Sequence, residues 1–366
     1  MRKLKVLFLH NRLMHYRLPI WNILAEKCDF TVAYSEGEPF PPEEEKKCKF
    51  KILHLPAWKF ASRFVIQKAN ILKLASQYDV LLATGNISWL KNVLYPWNPF
   101  RQTPFVYWSL GVSASYDKHY DTNKRWDIPR KVIFNKSDAC IFYTDYPVEK
   151  YAKMGMAREK MFVAHNTVAV LPNVESVKKD SILFIGSLYP QKGLGDLLDV
   201  YRKLSKDGVD LPKLNILGKG IEFENIKKFI EDNGLGNKIF LRGAIYEIAE
   251  KAKYFSRALV TISPRQAGLS VQESMGYGVP FITDEDAITG GERFDIIEGE
   301  TGRYITKKIS LESIVKDIAE NPQKYENLGK NAYDFYWRER KPEDMAEGAW
   351  RAIQYVANLP KWKKRF

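Results

Sequence analysis

The sequence predicts an α/β protein built as two Rossmann-like units, each a parallel sheet with helices on both faces. Three observations carry this. Short continuous apolar runs rich in Val, Ile, Leu and Phe alternate with helix-length stretches, the pattern of strands buried on both faces. The alternation occurs twice, on either side of a polar, proline-bearing break at 165–180. The length, 366 residues, suits two domains at roughly 150 residues each.

In the first half the strand-like runs are Leu4–His10, Phe30–Tyr34, Phe50–Leu53, Val80–Thr84, Phe105–Trp108, Ala139–Thr144 and Met161–Ala164. Helical periodicity covers 18–27, 62–77, 126–136 and 146–154. The break runs from His165-Asn166-Thr167 through Pro172-Asn173 to Lys178-Lys179-Asp180 and reads as a linker. The pattern then restarts with strands Ile182–Ile185, Leu214–Leu217, Ile239–Leu241, Leu259–Ile262 and Val279–Thr283, and helices near 192–205, 222–233, 270–277 and 310–320. From about 323 to 358 it is helical without strands. The expected domains are 1–170, 171–341 and a C-terminal helix in 342–366 that packs back on the first domain. Such a pair leaves a cleft between the carboxyl ends of two sheets, where ligands of open α/β sheets bind.

Composition removes several classes. With 45% hydrophobic and 28% charged residues, the chain is neither disordered, collagen-like nor a disulfide scaffold. Cys28, Cys48 and Cys140 are odd in number without CxxC spacing, which fits a reducing compartment and excludes a zinc knuckle. No apolar run approaches the ~20 residues of a membrane span. The basic start Met1-Arg2-Lys3-Leu4-Lys5 precedes an apolar stretch that stops at His10-Asn11-Arg12, too short for a signal peptide. A cytoplasmic chain is expected.

Charge is uneven. Residues 1–170 hold 26 Lys and Arg against 15 Asp and Glu, a net of +11, while the rest holds only +2 of the total +13. All five histidines lie in the first half. There Trp58-Lys59-Phe60 with Arg63, and Trp89-Leu90-Lys91 through Trp97 and Phe100 to Arg101, mix aromatic rings with cations. That combination suits an anionic membrane surface. Nucleic acid is not the expected partner, because no RNP1 string, helix-turn-helix signature or zinc finger is present.

Three motifs mark the second half. Gly186-Ser187-Leu188 through Lys192-Gly193 is a strand end, a loop and a lysine opening a helix, a place where phosphate can be held. Gly218-Lys219-Gly220 is a second strand-to-glycine loop without a full GxGxxG. In Ser263-Pro264-Arg265 through Gly278-Val279-Pro280, a loop at Gly268, Leu269 and Ser270 leads into a helix carrying Glu273. Their order and spacing over about 160–305, with Glu298-Gly299-Glu300-Thr301-Gly302 after them, resemble the retaining family 4 (group 1) glycosyltransferases of GT-B fold. The resemblance over the first half is architectural.

The resemblance implies that Lys192 grips a donor diphosphate, that the N–H groups of Gly268, Leu269 and Ser270 cradle it, and that Glu273 holds the ribose. Gly186, Ser187 and Gly218 would line the donor site, and Gly243-Ala244-Ile245 would bind the base through backbone groups. Two residues depart from the family pattern. Ser187 stands where the family has an arginine, and Arg265 stands where it has the first glutamate of E-x7-E. An arginine offers only donors; Arg265 either supplies the missing cation, contacts an acidic or unusual donor sugar, or points to solvent. Gly290-Gly291-Glu292 is read as a flexible loop lining the sugar pocket. Asp284-Glu285-Asp286 is read as a solvated acidic loop rather than a metal motif. No metal and no cofactor are expected, since helix N-termini and basic side chains can stabilise the leaving diphosphate.

In the first half, His15, Tyr16 and Arg17 follow the first strand and are candidates for acceptor contact. No histidine occupies 109–113, where the family often places one; His119 is the nearby candidate for donor-sugar contact. The expected function is retaining transfer of a hexose from a nucleotide sugar, UDP ahead of GDP, to a lipid-linked or growing glycan in lipopolysaccharide or capsule assembly, at the inner face of the cell membrane. The alternatives are a nucleotide-sugar epimerase of GT-B shape and a catalytically silent sugar-nucleotide-binding relative.

Overall fold

The computed structural model describes residues 2–61, 64–114, 119–175 and 177–362. It divides into two units, Met1–Ser113 with Asn123–Asn166 and Pro342–Phe366, and Ala114–Thr122 with Thr167–Lys341. The Arg63 position named above lies outside the described residues.

The first unit contains β1 (Lys5–Leu9), β2 (Asp29–Tyr34), β3 (Lys51–His54), β4 (Ala57–Phe60), β5 (Phe64–Gln67), β6 (Val80–Thr84), β7 (Phe105–Ser109), β8 (Ala139–Phe142) and β9 (Met161–Val163). Seven of these form a sheet in the order β3-β2-β1-β6-β7-β8-β9, every neighbouring pair parallel. Side chains alternate across it with period two. Val6, Phe8, Val80, Leu82, Val106, Trp108 and Ile141 face one way, onto the helix Leu18–Lys27 and the C-terminal helix Pro342–Ala357. Leu7, Leu9, Leu81, Ala83, Phe105, Tyr107 and Phe142 face the other, onto Ile71, Phe134 and Tyr151. Both faces are therefore dry, which is why the strands read as unbroken apolar runs.

The expected helix over 62–77 is corrected. Phe64–Gln67 pairs antiparallel with Ala57–Phe60 as a hairpin, and among the described residues of this stretch a helix forms only at Ile71–Ala75. Phe64-Val65-Ile66 favours extended backbone, and the Asn70 side chain accepts from the Lys73 N–H, starting the helix afresh.

The second unit contains β10 (Ser181–Ile185), β11 (Lys213–Leu217), β12 (Ile239–Gly243), β13 (Ala258–Ile262), β14 (Gln266–Ala267), β15 (Phe281–Asp284), β16 (Ile288–Thr289) and β17 (Gly302–Ile305). Its main sheet is parallel in the order β12-β11-β10-β13-β15-β17. The helix Leu194–Lys206 buries Leu194, Leu197, Leu198, Tyr201 and Leu204 at helical spacing against it. A helix at Ile248–Arg257 is not among the expected elements. The helical end is two helices, Pro322–Glu339 and Pro342–Ala357. The start of the expected linker is core: Thr167 is fully buried, the Val168 carbonyl accepts from Tyr336 at 2.6 Å, and Val170 joins a buried cluster.

One buried charge anchors the edge of the first unit. Asp138 accepts from Arg101 at 2.6 Å and from the Phe105 N–H at 2.8 Å, and pairs with Lys361. Burial pushes its carboxyl up, but these donors outweigh burial and hold it below the usual carboxylate range. Asp138→Asn should therefore cost about 3 kcal/mol in urea unfolding at pH 7 by stranding Arg101. Because the folded carboxyl titrates below the unfolded one, this contribution is present above about pH 4 and lost below it; the gap to wild type should close on acidification.

Candidate functional site

The strand order of the second unit reverses beside β10, between β10 and β13, so the loops after these two strands flank the switch point at which open sheets hold ligands. They are the Gly186–Lys192 loop and the Ser263–Ser270 loop, which carry most of the sequence-predicted donor residues.

The Gly186 N–H donates to Leu217 at 2.9 Å, and Leu188 donates to Lys219 at 2.9 Å. The glycine loop after β11 therefore lies against the first loop. A Cβ on Gly218 would stand 1.9 Å from the Gly186 carbonyl oxygen, so only glycine permits this approach. Gly218 in turn donates to Gly243 at 2.8 Å. The Gly243-Ala244-Ile245 turn thus sits beside the same strand ends, with Ile245 packed against the buried cluster that includes Leu217 and Phe255. Ser187 is exposed.

Lys192 lies in a short 3-10 turn, and the ideal Cβ position of Gly186 is 3.3 Å from its Nζ. Burial pulls its ammonium pKa down to about 8, opposed by the Glu292 carboxylate. A lysine partly withdrawn from water at a switch point is suited to an anionic ligand that repays its desolvation. The Lys192 carbonyl accepts from the Arg265 N–H at 3.2 Å, which ties the two loops together.

From Ala267 the chain passes through Gly268 and Leu269 into the helix Ser270–Gly276. The first N–H groups of a helix have no partner within it. The Ser270 hydroxyl is buried without a hydrogen-bond partner among the described residues. Glu273, one turn in, forms a mostly buried ion pair with Lys251 of the helix Ile248–Arg257. Sequence reasoning missed Lys251, although the apolar spacing of Ile248, Ala252 and Phe255 marks its helix. It read Glu292 as part of a flexible loop lining the sugar pocket; the structure shows that side chain buried, with its carboxylate acting on the Lys192 ammonium.

Arg265 points outward. Its guanidinium donates to Asp196 at 2.7 Å, and the side chain is 56% exposed. His119 is exposed, with Nδ1 2.6 Å from the Asp286 carbonyl oxygen, and Tyr120 meets the Phe294 ring edge-on at 5.0 Å. Burial, with the Asp286 and Asp196 carboxylates, pushes the Asp284 carboxyl up, and the Arg265 guanidinium opposes this.

His15, Tyr16 and Arg17 belong to the first unit, in the loop after β1 at that sheet's own switch point. His15 pairs with Glu44. Arg17 is buried: it donates to Asn166 at 2.6 Å and lies over the Tyr16 and Tyr143 rings at 5.1 and 5.3 Å. Its charge is engaged within the unit, whereas Tyr16 is exposed.

Residues 172–335 match the family Glycosyl transferases group 1. The Poly(glycerol-phosphate) alpha-glucosyltransferase of Bacillus subtilis (strain 168) is 28% identical over 273 residues, 70% of this chain and 39% of that protein. The Trehalose synthase of Pyrococcus horikoshii is 28% identical over 167 residues, 42% of this chain and 39% of its own. The chain thus spans 39% of the length of the curated relatives it matches. Among solved structures, Anabaena Alr3699/HepE in complex with UDP superposes with a TM-score of 0.71 at 16% identity, covering 96% of this chain and 99% of that one. A point mutant of S. aureus TarM, in complex with Fondaparinux, alpha-GlcNAc-glycerol and UDP, gives 0.66 at 14% identity, covering 95% and 99%. The match to the group 1 glycosyl transferases covers the second half of a chain that has the two Rossmann-like domains and C-terminal helices of the GT-B fold.

Proposed function

We propose that the chain is a retaining hexosyltransferase that takes its sugar from a nucleotide donor, UDP ahead of GDP, and passes it to a lipid-linked or growing glycan of the cell surface. The observation that carries this reading is the partly desolvated Lys192 ammonium at the switch point, in a turn whose carbonyl is bonded to the Arg265 N–H of the loop leading to the helix Ser270–Gly276. Support comes from the group 1 domain, from the glucosyltransferase relative and from structural neighbours solved with UDP.

In this reading, Lys192 and the N–H groups at 268–270 take up the negative charge that grows on the departing diphosphate. They carry the charge that a metal would otherwise supply. Glu273 accepts from the ribose hydroxyls while Lys251 holds its carboxylate in place. Gly186, Ser187, Gly218 and the Gly243–Ile245 turn shape the nucleotide pocket. Arg265 and His119 stand at the rim, and Tyr16 is the exposed acceptor candidate of the first unit. No covalent nucleophile is invoked; retention follows from attack on the face the diphosphate leaves.

A second part of the reading places the chain on the cytoplasmic face of the membrane. No helix of the described residues is long and apolar enough to cross one. Leu94, Trp97 and Phe100 are exposed, as are Ile128 and Val132 on the helix Asp127–Lys136. Ile128, Val132 and Lys136 share a helix face at i, i+4 and i+8, and the Lys136 ammonium lies 4.7 Å from the Trp97 ring centroid. This apolar patch with a basic rim suits anionic lipid. Arg101, expected to be part of it, is instead bound to buried Asp138. Trp97→Ala with Ile128→Ser should cut binding to anionic liposomes at least tenfold and leave UDP binding unchanged; undiminished liposome binding would reject the attachment.

The donor site is tested by thermal unfolding with UDP, GDP, ADP and CMP. A ligand at about 100 times its Kd adds about 2.7 kcal/mol, and UDP should give the largest shift. Lys192 is protonated below about pH 8 and loses its charge above it, so UDP affinity should fall as pH rises through 8. Lys192→Met should weaken UDP at neutral pH and flatten that profile. The ligand-free variant should be at least as stable as wild type at neutral pH, because a lowered lysine pKa destabilises the charged folded form.

A further inference from the structure

We propose that the Glu292 carboxylate accepts hydrogen bonds from the hydroxyls of the transferred sugar and thereby restricts the donor to neutral sugars, excluding uronates. This rests on the reading of 186–192 and 268–273 as a nucleotide-sugar site.

Placement comes first. β14 and β16 pair in parallel with Ala267 opposite Thr289. Gly268 and Gly290 are therefore the next residues at the same end of the ladder, about 4.8 Å apart across paired strands. The Arg265 carbonyl accepts from the Ile288 N–H at 2.9 Å, as the Lys192 carbonyl accepts from Arg265. The lysine turn, the Gly268 loop and the Gly290–Glu292 turn thus form one row. Gln272 donates to Asp295 at 2.6 Å, and Arg340 clamps Asp295 through both carboxylate oxygens at 2.7 and 3.0 Å. The turn that carries Glu292 is fastened to the helix that begins at Ser270.

The carboxylate is fixed and nearly dry. Glu292 is 5% exposed; Oε2 accepts from the Gly290 N–H at 2.9 Å and from the Thr289 hydroxyl at 3.3 Å. A Cβ on residue 290 would come within 3.0 Å of Oε2, so glycine is what lets the carboxylate fold back. It acts on Lys192. A carboxylate beside a phosphate-binding lysine cannot itself face the phosphates, which it would repel. In a nucleotide sugar, the group bonded directly to the terminal phosphate is the sugar ring, whose hydroxyls are donors that a carboxylate accepts well. A uronate would bring a second carboxylate into the same dry site. Arg265, a nearby cation that could welcome it, is turned to Asp196.

The test is calorimetric titration of the full chain with UDP, UDP-glucose and UDP-glucuronate, for wild type, Glu292→Gln and Glu292→Asp; if wild type binds GDP instead, GDP-mannose and GDP-mannuronate replace them. Wild type should favour the neutral donor at least tenfold. Glu292→Gln should hold UDP within threefold, weaken the neutral donor about tenfold or more, and erase most of the preference; Glu292→Asp should be intermediate. Equal binding of uronate and neutral donor by wild type overturns the proposal, and this needs no variant. An unchanged neutral-donor Kd in Glu292→Gln overturns it too. So does a parallel loss of UDP itself, which would assign Glu292 to supporting Lys192. Failure of wild type to bind any nucleotide overturns the underlying donor-site reading instead.

Discussion

Two main-chain hydrogen bonds, Lys192 carbonyl to Arg265 N–H and Arg265 carbonyl to Ile288 N–H, hold together segments nearly one hundred residues apart in the chain. Everything else in the candidate donor site depends on that row. It sets Lys192 against the Gly186 loop, places the Gly268 loop beside it, and brings the Gly290–Glu292 turn alongside. Because the row uses the backbone of residue 265, it is indifferent to the side chain there. This explains how an arginine can stand at a position where the resembling family has glutamate. The fold keeps its geometry, and the guanidinium swings out to Asp196 in solvent.

The same row creates an electrostatic problem. A lysine drawn out of water loses hydration, and its pKa falls accordingly. Glu292 offsets part of that loss, but a buried carboxylate has its own desolvation cost and needs donors, which Gly290 and Thr289 supply. Glu273 and Lys251 repeat the arrangement one helix away. The site is thus made of charges whose burial carries a desolvation cost, and a site of this kind lowers the stability of the fold that holds it.

The parallel sheets were legible because both faces of every central strand are covered. An apolar run such as Val80–Thr84 then has a single sensible reading. Legibility failed where local and tertiary signals diverge. The 62–77 stretch has helical spacing, yet Phe64-Val65-Ile66 finds a strand partner in Ala57–Phe60, a pairing no local window reveals. In the site, Lys192 and Glu273 stand out because they sit at fixed offsets from strand ends and glycines. Lys251 and Glu292 do not, because their importance comes from what they face across space: a carboxylate from another helix, and an ammonium a hundred residues earlier.

Net charge misleads in a related way. The +11 of residues 1–170 suggests a surface studded with free cations, but several are consumed inside the unit. Arg101 neutralises Asp138, Lys150 neutralises Asp127, and Arg17 is stacked on Tyr16 and Tyr143. What remains for a partner is decided by local geometry. Lys136 is exposed, borders exposed Trp97, and continues the Ile128–Val132 face of its helix. A charge count therefore sets the sign of the long-range attraction, while the contact itself is made where apolar side chains and unspent cations coincide.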